Sequence, residues 1–184
     1  MSDDTRKVTV GLIIVTEIEG AKWAALSRRG RHKIGLRDGK AILLPESFAG
    51  VTQPTVQGGM NEKEKACRLG VRDALIREMT EETNLDYVKI LPRMLLIQKS
   101  DIPFRVNHSF AAFAAFKKVM GLRFEPCKSL QLVCLAEVGN IRTDPRRDGF
   151  YKPGIVMFPD DKEALILAFE RFEELKALAE RRLR

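Results

Sequence analysis

The hydrophobic pattern of the chain changes period as it proceeds, and each change marks an element. KVTVGLIIVTEI, residues 7–18, is apolar or β-branched almost throughout, as expected for a strand covered on both faces. AKWAALSRR follows the turn-like Glu19 and Gly20 and predicts a second strand that runs into a basic loop. Between Gly30 and Gly59 the glycines, Pro45 and Pro54 leave only AILL as a short strand candidate. A loop-rich stretch of that length is usually functional or disordered. At Asn61 the pattern turns helical. Asn61 and Glu64 have the spacing of a capping box, and Val71, Leu75, Ile76 and Met79 form an apolar stripe. Gly70 interrupts it, so one long helix and a loop followed by a shorter helix from about Gly70 both satisfy the pattern. Asn84 is suited to end the helix, because asparagine is second only to glycine at a left-handed C′ position.

Beyond the helix, YVKILPRMLLIQ, FRVNHSFAAFAAFKKV and SLQLVCLAEV read as strands. Leu165, Ala168, Phe172, Leu175 and Ala179 recur at three- and four-residue spacing, and Asp160 and Asp161 stand before them where a helix N-terminus favours acids. The order strands, helix, strands, helix predicts an α/β domain with helices packed on a sheet.

Composition narrows this picture. A chain of 184 residues, 45% of them hydrophobic, suffices for a single domain, 1–184, with a substantial core. No uninterrupted apolar run reaches membrane-spanning length, and MSDDTRK lacks the basic and apolar parts of a secretory signal, so a cytoplasmic protein with no membrane partner is expected. Cys67, Cys127 and Cys134 are odd in number and have neither C-x-x-C spacing nor a histidine nearby, which predicts reduced thiols. The net charge of +7 favours anionic partners, and SRRGRHK concentrates Arg28, Arg29, Arg31 and Lys33 in one stretch. Nucleotides, nucleic acid, anionic surfaces and simple solubility all agree with that charge.

The candidate chemistry lies in IREMTEETNL, residues 76–85. At about 100° of rotation per residue, Glu78, Glu81 and Glu82 project from one side of a helix. Like charges at this spacing cost roughly a few tenths of a kcal/mol per pair in water, and more when buried, so they call for positive charge nearby. Solvent with Arg72 and Arg77 is one source, and a metal ion is another.

Arg77-Glu78-Met79-Thr80-Glu81-Glu82-Thr83-Asn84-Leu85, preceded by Gly58-Gly59, resembles the Nudix hydrolase signature: Gly, five residues, Glu, seven residues, Arg-Glu, an aliphatic, any residue, Glu-Glu, any residue, Gly, an aliphatic. The second half departs only at Asn84. In the first half, Gly59 lies eighteen positions before Arg77 instead of fourteen, and Leu69 stands where the signature has glutamate. Four extra residues therefore separate Gly59 from Arg77, with Glu62 or Glu64 as candidates for the displaced carboxylate.

The resemblance implies a Nudix-like α/β/α sandwich, with a mixed central sheet and helices on both faces. It also implies a Mg²⁺-dependent pyrophosphohydrolase, with Mn²⁺ as an alternative metal, that cleaves a nucleoside diphosphate linked to another moiety. Mg²⁺ suits the residue types, because this hard octahedral ion takes a few carboxylates and keeps room for water and substrate phosphates. By the resemblance Glu78, Glu81 and Glu82 are metal ligands, and Gly59 brings backbone to the metal. Arg77 fixes the glutamate cluster by hydrogen bonding, and Glu81 or Glu82, or a glutamate from elsewhere, orients or deprotonates the water. Arg28 and Arg29 are candidates for gripping substrate phosphates. Phe150 and Tyr151, in RRDGFYKPG, are candidates for stacking on a base, worth roughly 1–3 kcal/mol. The partners implied are a nucleotide or nucleotide derivative, with the 5′ end of RNA among the options, and a homodimer is compatible with the amphipathic C-terminal helix. The displaced glutamate leaves an alternative, a Nudix-like nucleotide- or RNA-binding regulatory domain with weakened hydrolysis.

Overall fold

The computed structural model describes residues 6–103, 105–145 and 154–181. In chain order the elements are strands β1 (Lys7–Ile18), β2 (Ala21–Arg29), β3 (His32–Arg37), β4 (Lys40–Pro45), β5 (Thr52–Gln53) and β6 (Val56–Gly59). Helices α1 (Glu62–Lys65), α2 (Gly70–Glu82) and α3 (Tyr87–Ile90) follow, then β7 (Met94–Ile102), β8 (Arg105–Phe113), α4 (Phe116–Met120), β9 (Lys128–Cys134), α5 (Pro159–Glu170) and α6 (Phe172–Glu180).

The central sheet has the order β5-β2-β1-β8-β7, with β6 also on β1 and β9 also on β2. It is mixed, since β1 pairs parallel with β8 while its other partners are antiparallel. The unbroken apolar run of β1 is explained by burial on two sides. Val10, Leu12 and Ile14 enter a core under α2, whereas Ile13 and Val15 enter a second core under α5 and α6. Each such side chain contributes about 1.5–3 kcal/mol on leaving water. Helices thus cover both faces, as an α/β/α sandwich requires. Among the described residues no helix is long and apolar enough to cross a membrane.

One detail of β1 positions the site. Thr9 to Leu12 pair with β6, but Ile14 to Ile18 pair with β2, so the sheet forks along this strand. The ends of β2, β5, β6 and β9 surround the opening of the fork.

Four expectations need correction. The stretch expected to be loop-rich holds the β3–β4 hairpin, closed by Asp38 (φ 52°) and Gly39 (φ 75°), the two positive φ values of a type I′ turn. Residues 87–90 are helical, because an apolar run alone does not distinguish a strand from a helix segment, and Leu91–Arg93 adds a 3-10 turn before β7. Strand character likewise stops at Phe113 and at Cys134, where α4 and a 3-10 segment take over. The C-terminal helix is divided at Arg171 into α5 and α6, yet Leu165, Ala168, Phe172 and Leu175 all reach the same core.

Candidate active site

The site is built around Arg77. Ahead of it, Asn61 caps α1: its side chain accepts the Glu64 N–H at 2.9 Å, and its own N–H donates to Glu64 Oε2 at 2.8 Å. The chain then turns back through residues 66–69 into α2. The turn is so close that a Cβ on Gly70 would lie 1.6 Å from the Glu64 carbonyl oxygen, so the position requires glycine. This return carries the Glu64 carboxylate onto Arg77, which donates to it from Nε at 2.8 Å and from Nη2 at 3.1 Å. Glu62 instead pairs with Lys65 on the surface.

Arg77 also donates from Nη1 to Glu78 (2.7 Å) and Glu81 (3.1 Å), and from Nη2 to the Gly59 carbonyl (2.7 Å). Nε, Nη1 and Nη2 thereby use all the N–H donors of a guanidinium, and the planar fork fixes three carboxylates at once. The pairing with Glu64 raises the Arg77 pKa and lowers that of Glu64. Glu78 is buried against β6: a Cβ on Gly58 would lie 1.8 Å from Glu78 Cδ, so only glycine leaves space for that carboxylate. Burial raises the pKa of Glu78 and of Glu82, against the pull of Arg77 on the first and Lys128 on the second.

Glu82 is held by different partners. The Gln57 N–H donates to Oε2 at 3.0 Å, and the Lys128 ammonium donates to Oε1. Lys128 also meets Glu125 at 2.9 Å. The loop that brings Lys128 here is clasped to the end of α2. Asn84 donates to the Gly121 carbonyl (3.0 Å) and accepts the Arg123 N–H (2.8 Å), while the Glu125 N–H donates to the Glu82 carbonyl (2.9 Å). Asn84 is therefore a clasp. It has no positive φ, and the helix ends at Glu82 with Thr83 extended, which corrects the expectation of a left-handed cap.

Beside Glu82 a cavity of about 180 Å³ opens, lined among others by Arg29, His32, Lys33, Gln57, Cys127 and Lys128. Its wall carries Arg29, Lys33 and Lys128 against Glu46 and Glu82, a net positive lining that suits a phosphate. Among the substrate-binding candidates, Arg29 lines this cavity and is held by Gln53 (2.6 Å) and Glu46 (3.3 Å). Arg28, its neighbour on the strand, projects to the other side and donates to the Gly50 carbonyl at 3.3 Å. Phe150 and Tyr151 lie outside the described residues.

No family model matches the chain, and no curated protein matches its sequence. Solved structures do match. The Nudix domain of Shewanella oneidensis NrtR, complexed with ADP ribose, aligns over 92% of this chain and 90% of its own with a TM-score of 0.56 at 15% identity. The chain has the Nudix fold. A MutT/nudix family protein from Enterococcus faecalis gives 0.55 at 14% identity over 95% of this chain, which spans 64% of that structure's length. A C. elegans Ap4A hydrolase binary complex gives 0.53 at 12% identity over 91% of this chain and 98% of its own.

Divalent metal is the group this fold implies, and the donor set fits it in kind. Glu78, Glu81 and Glu82 are hard oxygen donors on successive turns of one rigid helix, and burial of Glu78 and Glu82 makes an added cation favourable. Among the described residues no group of acids is already drawn together as an ion cage. Arg77 and Lys128 hold the carboxylates instead. Sequence reasoning left Glu64 open against Glu62 and had no signal for Lys128, which lies 46 positions from Glu82. For Gln57 the only signal was its place beside Gly58-Gly59.

Proposed function

We propose that the protein hydrolyses a phosphoanhydride bond in a nucleoside diphosphate linked to another moiety, using Mg²⁺ or Mn²⁺. The observation that carries this reading is the junction of the Arg77-held carboxylates, through Glu82, with a cavity walled by Arg29, Lys33 and Lys128. The fold neighbours lend support. ADP ribose, bound by the NrtR domain, and Ap4A, which names the C. elegans hydrolase, are both adenosine phosphates continued across a phosphoanhydride.

Glu78, Glu81 and Glu82 would hold the metal, which supplies charge neutralisation at the phosphate oxygens and an acidified water. Arg77 keeps Glu78 and Glu81 preorganised, so that little rearrangement of these two precedes reaction. Glu81 is the one with an exposed side chain, 57% accessible, and it suits the task of orienting or deprotonating the water. Arg29 and Lys33 would bind non-bridging oxygens of the substrate.

Product release should be measured with and without Mg²⁺ for nucleoside triphosphates, nucleotide sugars, dinucleoside polyphosphates and 5′-triphosphorylated RNA. Glu81→Gln and Glu82→Gln should each lower the rate by about 10²-fold or more. Glu62→Gln, on the surface, should leave it unchanged. The reading fails if nothing is cleaved and neither substitution alters ligand binding.

A second reading is favoured by the ion pair of Lys128 with Glu82. A positive charge already supplied by the chain weakens the demand for metal, which fits a nucleotide-binding regulatory domain with reduced hydrolysis.

A further inference from the structure

We infer that Lys128 is a built-in counter-ion that competes with the divalent metal for Glu82, and so sets the metal affinity of the site. The inference rests on the metal-dependent reading above. It starts from an asymmetry among the carboxylates. Arg77 takes Oε1 of Glu78 and Oε2 of Glu81, and among the described residues their second oxygens accept no hydrogen bond. Both oxygens of Glu82 are engaged, Oε2 by the Gln57 N–H and Oε1 by Lys128. Each oxygen keeps a second lone pair, but a dication at Oε1 would stand against the Lys128 ammonium at close range, so the two cations compete for Glu82.

The structure makes displacement of the ammonium feasible. Lys128 is a point charge on a flexible stem, unlike Arg77, whose five N–H donors are committed. It already touches Glu125, 2.9 Å away and 32% exposed, so an ammonium released from Glu82 retains a partner. It also lines the cavity beside Arg29 and Lys33, where an entering phosphate would attract it away from Glu82. Lys128 prevents Glu82 from being a buried unpaired charge, which would destabilise the fold. Metal and Lys128 are thus alternative solutions to one buried charge.

The test is Mn²⁺ titration of the full chain without nucleotide, by calorimetry and by the electron paramagnetic resonance of free Mn²⁺. Lys128→Gln should bind Mn²⁺ about tenfold more tightly than wild type, with a correspondingly larger thermal stabilisation by Mn²⁺. Lys128→Arg, which keeps the cation, should remain near wild type. Glu125→Gln should shift binding the other way, several-fold weaker, because Lys128 then has Glu82 as its remaining carboxylate. Unchanged or weaker Mn²⁺ binding by folded Lys128→Gln overturns the inference. If Lys128→Gln does not fold, Glu125→Gln decides, and unchanged or tighter binding overturns it. Wild type that hydrolyses with Mg²⁺ while Lys128→Gln leaves the Mn²⁺ affinity unchanged would remove the counter-ion role and keep the hydrolase. A wild type that neither hydrolyses nor binds Mn²⁺, beside a Lys128→Gln variant that binds it, would keep the counter-ion role and remove the hydrolase.

Discussion

Gln57 touches two acidic sites, giving its backbone N–H to Glu82 at 3.0 Å and its side-chain amide to Asp161 at 2.7 Å. At the first site, Arg77 and Lys128 pair with four glutamates, and a cavity opens beside Glu82. At the second, Arg105 faces two aspartates at the start of α5. It binds Asp160 directly and stands 3.9 Å from Asp161, while Asn107 lies 3.5 Å from both. Asp161 is fully buried, and among the described residues its Oδ2 has no hydrogen-bond partner. Burial drives its pKa up to about 7, reinforced by Asp160 and opposed by Arg105, Gln57 and Arg29. Carboxylates therefore reach two solutions in one molecule. At Glu78 and Glu82 the ion pairs with Arg77 and Lys128 oppose burial, whereas at Asp161 one shared cation opposes a deeper burial that prevails.

The largest effect expected from breaking this contrast is at Arg77. Arg77→Met leaves Glu64 and Glu78, both buried, without their cation, and should cost about 3–5 kcal/mol in urea unfolding. A cost under about 1 kcal/mol would mean that burial, not Arg77, organises the first site, and the contrast would lose its basis.

Asp161→Asn sharpens the other side. With a folded pKa of about 7 and an unfolded value near the ordinary ~3.9, native Asp161 holds a proton that the unfolded chain releases between those values. Its contribution to stability is therefore present below about pH 4, declines as pH rises toward 7, and is flat above. An asparagine at this position does not titrate and has no such slope. The variant should match wild type at about pH 4 and exceed it at about pH 8 by about 2–4 kcal/mol, as read from denaturant midpoints. Parallel curves for the two proteins would show that Asp161 is ionised in the fold.

These two sites also differ in how far the sequence revealed them. Glu78, Glu81 and Glu82 were legible because helical spacing is local, and Arg77 adjoins them. The part played by Glu64 depends on a turn at 66–69 that allows either it or Glu62 to come back, so spacing could not choose. Lys128 and Asp161 meet Glu82 and Gln57 through strand pairing and helix packing over 46 and 104 positions, which no motif encodes. The basic run Arg28 to Lys33 looked like one patch, but strand alternation sends Arg28 and Arg29 to different sides. Asp38-Gly39 was a readable hairpin signal that the surrounding glycines and prolines obscured. Helices packed on a sheet followed from β1 and the C-terminal stripe, because burial on two faces leaves a long apolar run, while the α/β/α sandwich followed from the resemblance carried by residues 58–85.

The smallest effect concerns how Lys128 is presented. Cys127, just before it, has φ +94°, a left-handed backbone that costs a non-glycine residue about 1 kcal/mol. The Gly30 N–H donates to the Cys127 carbonyl at 2.6 Å, and a Cβ on Gly30 would come within 2.5 Å of that oxygen, so the two backbones are locked together. Cys127→Gly relieves the strain and, after the greater flexibility of glycine in the unfolded chain, should raise stability by about 0.5 kcal/mol, a shift of roughly 1–2 °C in Tm. The Mn²⁺ affinity separates two meanings of the strain. If the Gly30 bond and the clasp at Asn84 hold the loop, the affinity is unchanged and the strain is an incidental cost. If it rises toward that of Lys128→Gln, the strained backbone itself presses Lys128 onto Glu82, and the fold is spending stability to keep the metal out until a ligand arrives.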